Sequence, residues 1–267
     1  MLGLSLLLSI VAAAPAPPAS PGVTVIVGVA DERRLSAAAA HVGDVRRPAD
    51  SIILVRTGGG TVRALWIPRE TQLRLPGGGT TSASRALRDG GTARLDAALS
   101  ATLGILPDRH ALLDIRGFAA LVDAAGGVRW PGGHSRIGLP SRPRLLGGRE
   151  TVSYAGAARR GIAADILRIR RQMALARAFQ KSLPAGGLSE MLRAAAILPS
   201  AGRTDLSPVA AARLTLALAS DPLRCALLAG DAQGPAYRPA PSAGAAARRL
   251  LDVDSERQYD RGRRAFS

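Results

Sequence analysis

Read for its apolar and polar positions, the chain alternates short β-branched runs with longer amphipathic stretches. VTVIVGV, Val23 to Val29, is continuous enough to suit a buried strand. DSIILVR (Asp50 to Arg56) and VRALWIP (Val62 to Pro68) follow, joined by Thr57-Gly58-Gly59-Gly60-Thr61, and read as a hairpin whose second strand ends at Pro68. After a Gly-rich loop at Gly77 to Gly79, the pattern predicts a helix from about Thr92 to Leu103. A strand at HALLDI (His110 to Ile115) comes next, then a short helix in GFAALVDAAGG (Gly117 to Gly127) closed by its glycines. Pro131 to Arg149, rich in Gly, Pro and Arg, breaks the periodicity and reads as an irregular loop long enough to be a functional flap. A long helix then carries DILRIRRQMALARAF (Asp165 to Phe179), and a last one spans roughly Ser207 to Ala219. The expected class is α/β: a single domain over residues 22–230, its central, mostly mixed sheet flanked by helices in an α-β-α arrangement. Residues 1–21 read as a signal-like or anchor segment with a Pro-rich linker, and residues 231–267 as a loosely ordered basic tail.

The long helix carries more than packing residues. At about 100° per residue, Asp165, Arg168 and Gln172 fall within an arc of roughly 60°, beside an apolar stripe of Ile166, Ile169 and Met173. One helix can therefore pack and present polar groups together. Taken alone, an i,i+3 Asp/Arg pair is an ordinary solvated feature.

Composition narrows the chemistry. With 47% hydrophobic and only 3% aromatic residues, the core is built from Ala, Leu, Val and Ile, and the chain is globular. The formal charge of +16 is almost wholly arginine, since Lys181 is the only lysine. Such a wholesale exchange, with abundant Ala and Gly, reads as GC-rich coding and weakens the charge as an argument for any one partner. A pI of 11.6 still favours polyanions such as phosphates or an anionic membrane surface. No zinc-finger spacing, basic heptad region or aromatic-basic RNA motif is present, so nucleic acid is not expected. Cys225 stands alone, which excludes an intrachain disulfide and a cysteine metal cluster. His41, His110 and His134 are scattered, and neither HExxH nor GxSxG occurs, so zinc and serine hydrolase readings fall away. The apolar run Leu2 to Ala14 is shorter than the ~20 residues that span a bilayer. It fits a signal sequence without its basic start or the remainder of a membrane anchor, and either implies an extracytoplasmic protein, membrane-associated or secreted.

Several segments then fall in a telling order: VTVIVGVADERR, RRPADSIILVR, ALWIPRET, LLDIRGFAALVDAAGGV, LLGGRETVSYAGAARR and DILRIRRQ. Together, from about Val23 to Lys181, they resemble the LytR-CpsA-Psr family, and TDLSPVAAARLTLAL resembles its final helix. The resemblance implies an extracytoplasmic phosphotransferase that moves a glycan phosphate from a polyprenyl-pyrophosphate carrier to peptidoglycan, assisted by Mg2+. The helix motif Asp-x-x-Arg-x-x-Arg-Gln, met by Asp165, Arg168, Arg171 and Gln172, implies the lipid-pyrophosphate site. By the same resemblance Arg69, in IPRET, is a catalytic and phosphate-binding arginine, while Asp50 is catalytic and, with Asp31, a magnesium ligand. LVDAAGGV, Leu121 to Val128, is a further match, read as a helix end and tight turn, with Asp123 structural. Phosphoryl transfer does depend on such groups: arginines that fork onto phosphate oxygens, and magnesium held by one or two carboxylates.

The match is incomplete. Ala30 holds the first aspartate's place and Asp31 follows it; Arg47 is displaced by Pro48; Glu70 replaces an aspartate. Gly156 and Ala158 stand where the family carries two phosphate-binding arginines, leaving Arg159 and Arg160 just beyond as substitutes. The family's lysine ahead of Gly90-Gly91 has no counterpart, with only Arg85 and Arg88 nearby. These departures define the competing expectation: a catalytically impaired protein on the same fold, binding polyprenyl phosphate or anionic wall polymer in a regulatory role.

Overall fold

Along the strand that begins at Ala49, Ile52 and Leu54 fall on one face and Ile53 and Val55 on the other. A strand that is apolar on both sides needs cover on both. A computed structural model, describing residues 23–29, 49–156, 161–197 and 200–253, with side chains from residue 49 onward except Leu188, shows how that cover is supplied. In chain order the elements are β1 (Val23–Val29), β2 (Ala49–Gly58), β3 (Thr61–Ile67), β4 (Gln72–Arg74), β5 (Thr80–Ser82), α1 (Ala83–Leu103), β6 (Arg109–Asp114) and α2 (Ile115–Ala124). They continue with β7 (Val128–Trp130), β8 (Arg144–Leu146), α3 (Gly148–Gly156), α4 (Ile162–Ile197), β9 (Gly202–Thr204), α5 (Pro208–Ser220), β10 (Leu223–Leu227), β11 (Gly230–Gln233), β12 (Ala236–Pro239) and α6 (Ala243–Leu251).

Six strands form one mixed sheet in the order β10-β3-β2-β1-β6-β9. The β2–β3 hairpin turns through Gly59 and Gly60, at φ of 60° and 63°, which only glycine adopts at no cost. One sheet face packs Ile52, Leu54, Leu65 and Ile67 against Leu87, Leu95 and Leu99 of α1 and Ala247 and Leu251 of α6. The other packs Val55, Ala64 and Trp66 toward Ile169 of α4 and Leu214 of α5. The expected α-β-α arrangement is thereby realised.

Several elements differ from their sequence reading. Helix α1 starts at Ala83, about two and a half turns early, because the Ser82 hydroxyl caps it by accepting from Arg85 N–H at 3.3 Å. The Gly90-Gly91 step that hid this turn is a break inside the helix, with Gly91 at φ 64°. Helix α4 likewise runs on past Pro184 and breaks at Gly187, φ 81°. Strand β10 escaped notice because its short run, LRCAL, shows no alternation; it closes the sheet by pairing parallel with β3. Within Pro131–Arg149 the chain is less irregular than expected, since a two-stranded ribbon pairs β7 with β8.

The segment after Gly230, expected to be loosely ordered, is folded as far as Val253. Five of its side chains are buried in the core: Tyr237, Ala243, Ala247, Leu251 and Val253. The Tyr237 hydroxyl donates to the carbonyls of Leu228 at 2.6 Å and Gly230 at 3.0 Å. Its backbone N–H donates to Glu70 O at 3.0 Å, so the β11–β12 hairpin grips the loop that follows β3. Among the described residues no helix is long and apolar enough to cross a membrane.

His110 fastens the other end of the sheet. Its Nε2 lies 3.0 Å from Asp96 of α1 and its Nδ1 3.1 Å from Asp205, which also accepts the His110 backbone N–H at 2.7 Å. Carboxylates at both nitrogens favour the imidazolium, which can donate to each. Burial alone would lower its pKa, but Asp96 and Asp205 together hold it above the usual histidine value. A raised folded-state pKa stabilises the protein fully below the unfolded value of about 6.5, and that stabilisation is lost as pH rises through the folded value. Thermal unfolding is therefore expected to show a Tm that declines as pH rises above about 6.5. His110→Gln should flatten that decline and cost about 1–3 kcal/mol at pH 6, because it leaves the mostly buried Asp96 carboxylate without its cation while Asp205 stays in water. A Tm profile unchanged by the substitution would contradict the imidazolium.

Candidate functional site

Asp50 stands at the start of β2 and Arg69 just beyond the end of β3, so the hairpin's antiparallel register brings them side by side. Arg69 Nη1 donates to Asp50 Oδ1 at 2.7 Å. From α4, across the sheet face, Arg168 donates through Nη2 to Asp165 Oδ1 and to the Asp50 carbonyl, and its Nη1 lies 3.6 Å from Asp50 Oδ1. Arg69 Nε is 3.6 Å from Asp165 Oδ1. Two carboxylates and two guanidiniums, from three separate elements, thus form one interlocked group. Asp165 and Arg168 are each only 3% exposed. Burial pushes the Asp165 carboxyl upward, opposed by Arg168 and Arg69, and pushes Arg168 downward, opposed by Asp165 and Asp50.

One small side chain aligns the two strands' ends. The Ser84 hydroxyl accepts from Ala49 N–H at 3.0 Å while the Ser84 N–H donates to Arg69 O at 2.9 Å. The backbone beside Asp50 and the backbone of Arg69 are thereby tied to the first turn of α1. Sequence reading gave no signal for Ser84, because its role depends on two contacts distant in the chain.

Behind this polar group, between the sheet and helices α2, α4 and α5, lies a cavity of about 300 Å³. Asp50, Arg168, Gln172 and Gly156 line its polar end; Ile53, Val55, Trp66, Phe118, Phe179 and Leu218 are among the apolar side chains lining the rest. It follows β2 from Asp50 to Val55 and α4 from Arg168 to Leu183, roughly 17–22 Å at the rises of strand and helix. A greasy channel closed at one end by arginines and carboxylates suits an amphiphile with an anionic head. Its lining was unreadable in sequence, since Phe118, Leu121 and Phe179 read as ordinary core positions.

The expected site residues divide. Asp50, Arg69, Asp165 and Arg168 converge, and Gln172 joins them at the cavity, its Nε2 donating to Ala155 O at 3.2 Å. Arg171 does not line the cavity. It is buried under the turn at residues 135–138, with Nη1 3.5 Å from Ile137 O. The i+3 step from Arg168 rotates it away from the arc that Asp165, Arg168 and Gln172 share. Asp31, Arg159 and Arg160 lie outside the described residues. Asp123 is structural: its Oδ1 accepts Gly148 N–H at 2.7 Å, where α3 crosses α2 too closely for any Cβ at residue 148. Among the described residues no group of three or more His, Cys, Asp or Glu is gathered around one point. Any magnesium here would use the mode in which one or two carboxylates share the ion with substrate phosphates. Asp50, a third exposed and already facing two cations, fits that mode.

The sequence profile of the LytR_cpsA_psr family matches residues 17–220. This chain belongs to that family. No curated protein matches the sequence. Among solved structures, TagV of Bacillus subtilis is similar at 19% identity and a TM-score of 0.66, over 88% of this chain and 99% of its own. The LytR-Csp2A-Psr enzyme of Actinomyces oris shares 16% identity at a TM-score of 0.67, covering 90% and 92%. TagT bound to LI-WTA shares 18% at 0.66, covering 90% and 94%. At these identities the likeness establishes the fold, and the family profile establishes the membership.

The ion-pair group yields a stability test. Asp165→Ala should cost about 3–5 kcal/mol in urea unfolding, because it strands the buried Arg168 charge. Asp165→Ala combined with Arg168→Met should recover most of that loss. A double variant no more stable than the single would show that Arg168 is not the stranded group.

Proposed function

We propose that this family member is an extracytoplasmic glycopolymer transferase, acting on a glycan carried by polyprenyl pyrophosphate and delivering it to peptidoglycan. The observation that carries this reading is the Asp50–Arg69–Asp165–Arg168 group seated at the polar end of an apolar cavity. The polyprenyl chain occupies the cavity, and its pyrophosphate meets Arg69 and Arg168. Both arginines hold carboxylates in the structure, so binding exchanges part of that pairing for phosphate oxygens, which guanidinium forks match well. Mg2+, held by Asp50 with Asp31, would neutralise charge on the phosphates when bound. An acceptor hydroxyl of peptidoglycan then attacks the phosphorus next to the sugar. A new oxygen–phosphorus bond forms, the bridging bond to the carrier breaks, and polyprenyl monophosphate leaves. Asp50, or Asp31, takes the hydroxyl proton.

A second reading, binding without catalysis, is favoured by one observation: Gly156, at the cavity's polar end, offers no side chain where the resemblance expects an arginine.

Turnover of a short polyprenyl-pyrophosphate-linked glycan by the full chain distinguishes them. Magnesium-dependent release of polyprenyl phosphate is expected. It should fall about 10- to 150-fold in Arg69→Ala and in Asp50→Ala, the equivalent of one charged hydrogen bond at about 1.5–3 kcal/mol. Binding with no turnover would establish the second reading, and turnover indifferent to both substitutions would refute the assigned site.

A further inference from the structure

The β7–β8 ribbon and the loop between its strands take no part in the chemistry above, yet their composition is unusual. Residues 128–150 contain five arginines and a single carboxylate, Glu150. Glu150 is taken by Arg144 at 2.6 Å. Arg129, Arg136, Arg142 and Arg149 are exposed, and none of them has a carboxylate partner among the described residues. Beside them stands Leu145, 57% exposed, the only large hydrophobic side chain that is exposed among the described residues.

The arrangement is fixed by the pleat. Leu145 pairs in register with Arg129, so both project from one face of the ribbon, while Val128, Trp130 and Leu146 are buried. The ribbon is held firmly, because Arg129 N–H donates to the Ser182 hydroxyl of α4 at 2.7 Å. It is also the outer skin of the cavity wall, since Val128 of β7 and Thr151 and Val152 of α3 line that cavity. An exposed leucine sharing a ribbon face with Arg129, in a segment carrying three more exposed arginines without carboxylate partners, matches the boundary of an anionic bilayer, where arginines take lipid phosphates and a leucine enters the acyl region. A soluble polyanion would use the arginines and leave Leu145 in water.

We infer that the outer face of the β7–β8 ribbon docks on an anionic lipid surface, holding the cavity wall against the bilayer. The test uses the full chain carrying Cys225→Ser and Leu145→Cys, labelled at residue 145 with an environment-sensitive fluorophore. The probes are vesicles of phosphatidylcholine alone, vesicles with one-quarter phosphatidylglycerol, and soluble polyphosphate. The control places the label at Arg94→Cys on α1, which packs on the opposite face of the sheet. Expected is a blue shift at residue 145 with the anionic vesicles only, and none at residue 94. Each of Arg129→Gln, Arg142→Gln and Arg149→Gln should raise the lipid needed for half-maximal shift about fivefold. A label at 145 that stays in water on vesicles that bind the protein overturns the inference. So does an equal shift on neutral vesicles, or a response to polyphosphate alone. None of these readouts depends on turnover, so the inference can fail while the transferase reading stands, and the reverse.

Discussion

Everything at the functional end of this molecule depends on the mutual neutralisation of two buried charges, Asp165 and Arg168, one helical turn apart on α4. Neither could be sequestered alone, since an isolated ion taken out of water costs several kcal/mol even after relaxation. Paired, they can sit at the rim of an apolar cavity and still offer hydrogen-bonding capacity to their surroundings. Asp50 and Arg69 extend the pair into a four-membered group whose charges balance, so the site is stable without a ligand and becomes anion-seeking only when a carboxylate is displaced. The proposed catalytic strength is thus held in reserve within a structural ion pair.

The sheet's geometry makes that group possible. A hairpin presents the start of one strand beside the end of the next, which sets Asp50 next to Arg69, and Ser84 ties both backbones to one helix turn. Helix α4 supplies the remaining members by crossing the same sheet end, with its apolar stripe packed below. Polar chemistry and core packing share one helix because their positions differ by a fraction of a turn.

Much of this was legible in the sequence, for identifiable reasons. Strands β1, β2, β3 and β6 are apolar runs ended by Gly, Pro or a charge. Of the residues that converge, Asp165, Arg168 and Gln172 share a helix arc that local periodicity states, while Asp50 and Arg69, at strand ends, were marked only by the family resemblance. What stayed hidden was long-range. Ser84 works through partners far away in the chain, β10 pairs with a strand more than a hundred residues earlier, and the cavity is an absence that no string of apolar residues announces. Arg171 shows the limit of motif reading, because adjacency in a conserved-looking string did not place it in the same space.

The grip of Tyr237 on the Glu70 carbonyl has a temporal meaning. A polypeptide is synthesised N-terminus first, so the loop bearing Arg69 emerges long before the hairpin that braces it. Until β10 and that hairpin arrive, the outer edge of β3 lacks its partner, a surface prone to wrong pairing. The ion-pair group is consequently among the last features to be completed. A half-made chain carries every residue of the site without holding them in place, and the four charges are brought into register only when the whole domain has closed.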